Sequence, residues 1–324
     1  MKKGFFLVDR ILTPLDGLLA LMSAKRKAGI IIDKPIFIIG VERSGTTLLY
    51  SILANHPDLY WLSRLDSALP SNPCISSLVR QLLSPISVKS AYIAIPGTIS
   101  LSQGMLPPSE CLPYWRQIFK WGDEANYLIE DDRFTEADVD ERIKRFLHED
   151  LKLRLLWMQK KRLLFKQPGF SLKVRFINAV FPDALFLHII RDPFMNCLSL
   201  VRAKEAGHEK FWGIKIPGWR NLLAADKWLQ AAIQIHTTLE IIEEDIRKAR
   251  IEERYLRLKY EDLIGSPYES LRRVLDFCCL SWTDSIEDAL KGIRKGQNKN
   301  NNKMVFPKEV TDILTSIAEK YEYI

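Results

Sequence analysis

Apolar positions along the chain fall into short unbroken runs separated by longer stretches of helical period. Pro35 to Ile39 carries Ile36, Phe37, Ile38 and Ile39 without a polar interruption, as expected of a strand covered on both faces. Further strands are predicted at Asp58 to Trp61, Leu163 to Phe165, Ala184 to Ile190 and Tyr255 to Lys259. Helical periodicity runs through Leu48, Leu49, Ile52 and Leu53 to a stop near His56-Pro57. It returns from Ile143 up to the strand at Leu163, over Val174 to Phe181, and after Arg191-Asp192-Pro193. It recurs over Trp228 to Arg250, Tyr268 to Phe277 and Lys308 to Tyr321. Proline suits the first turn of a helix, where its missing N–H would have had no partner. Buried strands alternating with helices predict an α/β fold, a central, mostly parallel sheet with helices on both faces.

Two stretches break the alternation. From about residue 63 to residue 147 the chain is rich in proline (Pro70, Pro73, Pro85, Pro96, Pro107, Pro108, Pro113) and aromatics, and reads as an insertion of short helices. In residues 1–32, Asp9, Arg10 and Asp16 interrupt an apolar run, so no stretch reaches spanning length. Followed by Lys25, Arg26 and Lys27, that run fits a helix packed on the protein's own core or on a second subunit. It also fits an amphipathic segment at a membrane interface. The expected organisation is this N-terminal segment followed by one domain over 33–324.

The sharpest local signal is Gly40-Val41-Glu42-Arg43-Ser44-Gly45-Thr46-Thr47, between a buried strand and a helix. Backbone N–H groups and the helix dipole converge on an anion at such a junction. Gly40 and Gly45 permit the tight turn, and Arg43, Ser44, Thr46 and Thr47 add side-chain donors. The spacing is that of the nucleotide-triphosphatase loop, but Thr46 stands where that loop has lysine. No magnesium-holding aspartate pattern follows a later strand, which weakens the alternative of a kinase or nucleotide hydrolase.

Composition changes this picture little. With 324 residues, 47% of them hydrophobic, the chain can build a full core without disulfides or structural metals. Its formal charge of +7 suits anionic partners in general. The five cysteines (Cys74, Cys111, Cys197, Cys278, Cys279) form no CxxC pair, which favours a reducing compartment, with the adjacent pair read as core filling.

Pro35 to Pro57, PIFIIGVERSGTTLLYSILANHP, resembles the 5′-phosphosulfate loop of the sulfotransferases that use 3′-phosphoadenylyl sulfate (PAPS). Phe181 to Leu200, FPDALFLHIIRDPFMNCLSL, resembles their 3′-phosphate motif. The likeness is to the carbohydrate, tyrosylprotein and bacterial branches more than to the cytosolic aryl branch. It implies that Arg191 and Ser199 bind the 3′-phosphate and that Arg294-Lys295-Gly296 form a basic loop closing over it. Lys259-Tyr260-Glu261-Asp262-Leu263 resembles a structural segment of the same family. Sulfuryl transfer needs an in-line donor, positive charge on its oxygens and a base for the acceptor proton. Arg43 and Lys166 are the expected cations. The histidine that cytosolic relatives place after that lysine is absent, since Gln167-Pro168 follow. Asp66 is the candidate base, with a turn-capping Asp66 as the alternative and His208 as a more distant one. PAPS is the implied co-substrate, and no metal is implied. The insertion and the segment from Gly207 to Trp219 are expected to form the acceptor site, with Trp61, Tyr114, Trp115, Trp121, Trp212 and Trp219 as candidate walls. The expected partner is a hydroxylated small-molecule, glycan or lipid acceptor. Contact with a membrane surface and a homodimer are left open, and no nucleic acid is expected. A cytoplasmic location follows from the missing anchor. A non-catalytic protein that binds PAP is the remaining alternative.

Overall fold

The computed structural model describes residues 2–87, 106–119, 131–207, 210–291 and 305–324. Five strands, β1 Ile36–Ile39, β2 Leu59–Tyr60, β3 Arg162–Lys166, β4 Leu185–Ile190 and β5 Tyr255–Lys259, pair in the order β2-β3-β1-β4-β5. Every neighbouring pair is parallel. The first helices are α1 Lys2–Met22, α2 Ala24–Ala28, α3 Thr46–Leu53, α4 Arg64–Ala68, α5 Pro73–Ser87, α6 Leu112–Trp115 and α7 Glu141–Met158. They are followed by α8 Val174–Val180, α9 Pro193–Ala206, α10 Lys227–Ala249, α11 Tyr260–Gly265, α12 Pro267–Phe277, α13 Asp284–Lys291 and α14 Lys308–Lys320.

The unbroken apolar runs are explained by burial on both sides. Phe37, Ile39, Leu163, Phe165 and Phe186 point to one face, where α7, α8 and α10 cover them. Ile36, Ile38, Leu164, Leu185 and Leu187 point to the other, under α3, α12 and α13. Phe37 sits at the centre of the first layer, its ring 5.3 Å from Phe165 and 5.5 Å from Phe170. The sheet therefore matches the α/β expectation, and β1 occupies its middle. In such sheets ligands bind beyond the carboxyl ends of the strands, where the winding direction reverses.

The structure departs from the sequence pattern at the insertion and at one cysteine. Besides short helices, the insertion contains α5, a 15-residue helix, whose first turn is capped from a distant element rather than by its own residues. Of the adjacent cysteines only Cys278 fills the core; Cys279 is exposed, with a left-handed φ of 52°.

Candidate active site

β1 ends at Ile39, and the next residues make the turn that the glycine spacing predicts. Gly40 has φ 145° and Gly45 φ 104°, conformations open to glycine and strained for other residues. A Cβ on Gly40 would collide with the Ile189 carbonyl, and one on Gly45 with the Tyr260 ring. Ser171, from the turn after β3, clamps the loop start. Its Oγ accepts from the Gly40 N–H and donates to the Gly40 carbonyl, both at 2.9 Å. α3 then opens at Thr46 with Gly45 as its N-cap, so the free N–H groups of its first turn face the loop.

Residues from three other strand ends meet this loop. Arg191 follows β4 and donates from Nη1 to the Arg43 carbonyl at 3.0 Å, while its guanidinium lies 4.8 Å from the Tyr260 ring centre. Arg43 donates from Nε to Ser199 Oγ at 3.1 Å, which joins the two motifs that the sequence pairs. Burial, and then the neighbouring Arg191, pull the Arg43 guanidinium below its ordinary pKa. An anion between two such cations relieves that repulsion. Lys166, at the end of β3, donates to Thr47 Oγ1 at 3.0 Å and pairs with Glu110. Asp192 caps α9 through the Met195 N–H at 2.9 Å, and its own N–H is held by Glu261 Oε1 at 3.1 Å. That contact gives Glu261 the anchoring role expected of its segment.

Arg43, Gly45, Thr46, Thr47, Lys166, Arg191 and Ser199 all line one cavity of about 1390 Å³, large enough for a nucleotide and a second molecule. Gly40 and Ser44 lie behind that wall. Among the described residues, Ser44 Oγ and Arg191 Nε are buried without a protein partner. Orphaned donors beside a helix N-terminus are what a phosphate-bearing ligand requires, so the cradle fits the donor that the sequence motifs imply. Glu42, buried under the loop and pushed up to about 7 by that burial, accepts from the Ile214 N–H and ties the loop to the wall carrying Trp212 and Trp219. Those two tryptophans line the cavity. Tyr114 and Trp115 belong to the aromatic core, Trp61 stacks under Arg80 at 3.6 Å, and Trp121 lies outside the described residues.

Asp66 is placed elsewhere than the catalytic expectation required. It is 1% exposed and absent from the cavity wall. As the third residue of α4 it closes a capping box, its Oδ2 accepting from the Ser63 N–H at 2.7 Å and from Ser63 Oγ at 2.6 Å. Its Oδ1 accepts from Ser76 Oγ at 2.8 Å and Arg154 Nη1 at 2.5 Å. Burial works to raise this carboxyl, but Arg154 and Arg80, with the Ser63 hydrogen bonds, hold it below the ordinary range. A carboxylate so committed is a poor proton acceptor, and its work is to tie α4 to α7. Asp66→Asn is expected to destabilise the fold by about 3 kcal/mol, because it strips a buried arginine of one partner. Turnover per folded molecule should stay within about threefold, against the 10²–10⁴-fold loss of a missing base. Thermal unfolding and kcat on the same sample separate the two.

Glu110, not Asp66, is the carboxylate that lines the cavity beside Lys166. The chain returns to the end of β2 along residues 107–109, where the Ser109 N–H donates to Leu62 O at 2.8 Å and the Arg64 N–H to Pro107 O at 3.3 Å. An isolated bridge between Ser63 and Pro108 completes the contact. This lays Glu110 against Lys166 at the cavity wall. Nothing local marks it: it follows three residues of irregular chain, and its position depends on a pairing across some forty-five residues. His188 is buried in β4 away from the cavity, and His56 closes the turn after α3 by contact with Ser281 O at 3.0 Å. His208, Arg294, Lys295 and Gly296 lie outside the described residues.

A parallel α/β sheet whose central strand runs through a glycine turn into a helix, with a second arginine from the adjacent strand, is an α/β architecture of the P-loop kind. The chain belongs to the sulfotransferase family, whose family model matches residues 35–284. It is 24% identical over 256 residues to the omega-hydroxy-beta-dihydromenaquinone-9 sulfotransferase Stf3 of Mycobacterium tuberculosis, which covers 76% of this chain and 62% of that protein. Human carbohydrate sulfotransferase 5 is 21% identical over 297 residues, covering 81% of this chain and 65% of its own length. The chain thus spans less than two thirds of the length of these curated relatives. Among solved structures, sulfotransferase STF9 of Mycobacterium avium superposes with a TM-score of 0.62 at 16% identity, over 93% of this chain and 80% of that one. That likeness establishes a shared fold.

Proposed function

We propose that this protein transfers the sulfuryl group of PAPS to a hydroxyl of a lipid-like or carbohydrate acceptor, releasing PAP. The observation that carries the reading is the meeting of Arg43, Ser199 and Arg191 at the Gly40–Thr47 loop, with Lys166 against Thr47 and Glu110 beside it in the same cavity. The donor supplies an activated sulfuryl group on a phosphate leaving group. Arg43, Thr46, Thr47 and the first turn of α3 hold its 5′ side, and Arg191 and Ser199 its 3′-phosphate. Lys166 offers positive charge to the oxygens on which it develops. Glu110 takes the acceptor's hydroxyl proton as the new S–O bond forms and the sulfur–phosphate oxygen bond breaks. The mycobacterial relative is named for a hydroxylated menaquinone and the human one for carbohydrate, which supports both acceptor classes. Trp212 on the cavity wall suits a sugar face or an apolar chain alike, while Trp219 is 1% exposed and part of the core.

The test is radiolabelled transfer from PAPS to a panel of polyprenyl alcohols, hydroxylated quinones, glycolipids and oligosaccharides. Label in one acceptor class, lost on omission of enzyme, is the expected result. Tight PAP binding with no transfer to any of them would leave a binding protein instead.

A further inference from the structure

α1 is turned inside out for a helix of a soluble protein. Asp9, Asp16 and Ser23, spaced at sevens, face inward and are each 4% exposed. Asp9 Oδ1 accepts from the Ser71 N–H at 3.1 Å and from Asn72 Nδ2 at 2.6 Å, and Asp16 Oδ1 accepts from the Ile75 N–H at 2.7 Å. Asp16 therefore caps the first turn of α5, which opens at Pro73, and Asp9 holds the two residues that lead into it. Inward apolar contact is narrow, with Leu12 and Leu19 against Leu65, Leu69 and Ile75. The broad apolar stripe faces out. Leu7, Ile11, Leu15, Leu18, Leu21 and Met22 are 52–82% exposed, five of them at the three- and four-residue steps of a single face.

The charge around that stripe has one sign. Residues 7–28 hold Arg10, Lys25, Arg26 and Lys27 against two acids, Asp9 and Asp16, and both acids are buried against the start of α5. Lys27 pairs with Glu149. An exposed apolar stripe flanked by basic residues matches an anionic lipid surface. A second copy seated on the same stripe would bring two basic segments into one interface.

We infer that α1 is an interfacial helix that seats this protein on an anionic lipid surface. Its position gives that docking a use. Leu65 and Leu69 of α4 pack on α1, while Arg64 and Ser67 of the same short helix line the cavity. The lipid-bound face is thus one helix away from the acceptor side of the site, as an acceptor carried in a membrane needs. That last link rests on the sulfuryl-transfer reading; the docking does not.

Vesicle co-sedimentation of the full chain, without donor or acceptor, tests it. Binding to phosphatidylcholine vesicles containing about 30% phosphatidylglycerol is expected to exceed binding to pure phosphatidylcholine about tenfold or more, and to weaken with added salt. The double variant Ile11→Asp, Leu18→Asp should lose that binding at least about tenfold while its melting temperature and PAP affinity stay put. Lys25→Glu with Arg26→Glu, which leaves the stripe intact, should abolish the preference for anionic lipid. Wild-type protein that ignores anionic vesicles would overturn the inference, as would stripe variants that bind as the wild type does. A wild-type dimer that Ile11→Asp dissolves, with no lipid binding, would overturn it in favour of a second copy. None of these outcomes depends on whether sulfuryl transfer is the reaction.

Discussion

Glu110→Gln is expected to lower kcat by about 10²–10⁴-fold, the span of a lost general base, while leaving PAP affinity close to wild type. The cost to stability is expected to be far smaller. Glu110 is 41% exposed on the cavity wall, but its partner Lys166 is 4% exposed, so losing the carboxylate leaves a largely buried ammonium with Thr47 Oγ1 and costs about 1–3 kcal/mol. A modest shift in the melting curve should therefore accompany a large loss of turnover. The donor cradle lies on other residues, so binding of PAP should be unchanged. A Glu110→Gln enzyme with normal kcat would move the base to a residue outside those described here. A collapse of PAP affinity would instead make Glu110 a scaffold for Lys166.

Arg191→Ala has the next largest expected effect, and on a different quantity. A guanidinium held at the end of β4, with its Nε buried and unpartnered, supplies a charge-assisted hydrogen bond worth about 1.5–3 kcal/mol to a phosphate. The Kd for 3′,5′-PAP should therefore rise about 10–100-fold, with ADP affinity changed by less than about threefold. Arg191→Lys keeps the charge but not the fork, and should recover only part of the loss. Equal weakening of both nucleotides would show that Arg191 acts through its contact with the Arg43 carbonyl, shaping the loop rather than reading the third phosphate position.

The residues proposed to hold the donor could be picked out in the sequence because their spacing is local. Gly40 and Gly45 are set by a turn of eight residues, and Arg191, Ser199 and Lys166 each sit at a fixed distance from the end of a strand that its apolar run reveals. The capping position of Asp66 was also written locally, since Ser63-Arg64-Leu65-Asp66 has the spacing of a capping box and the structure forms one there. The proposed base was not legible, because Glu110 reaches the cavity only through the pairing of residues 107–109 with 62–64. α5 and the inverted face of α1 share that cause. Asp9 and Asp16 look like interruptions of an apolar helix until the open N-terminus of α5 is set beside them.

The most direct test of the central claim is the affinity of the purified protein for 3′,5′-PAP against ADP, by calorimetry, with magnesium absent and then present. PAP is expected to bind at least about tenfold tighter than ADP, without any need for magnesium. Binding of ADP as tight as or tighter than PAP, and dependent on magnesium, would contradict it and point to a nucleotide-hydrolysing or phosphoryl-transferring site.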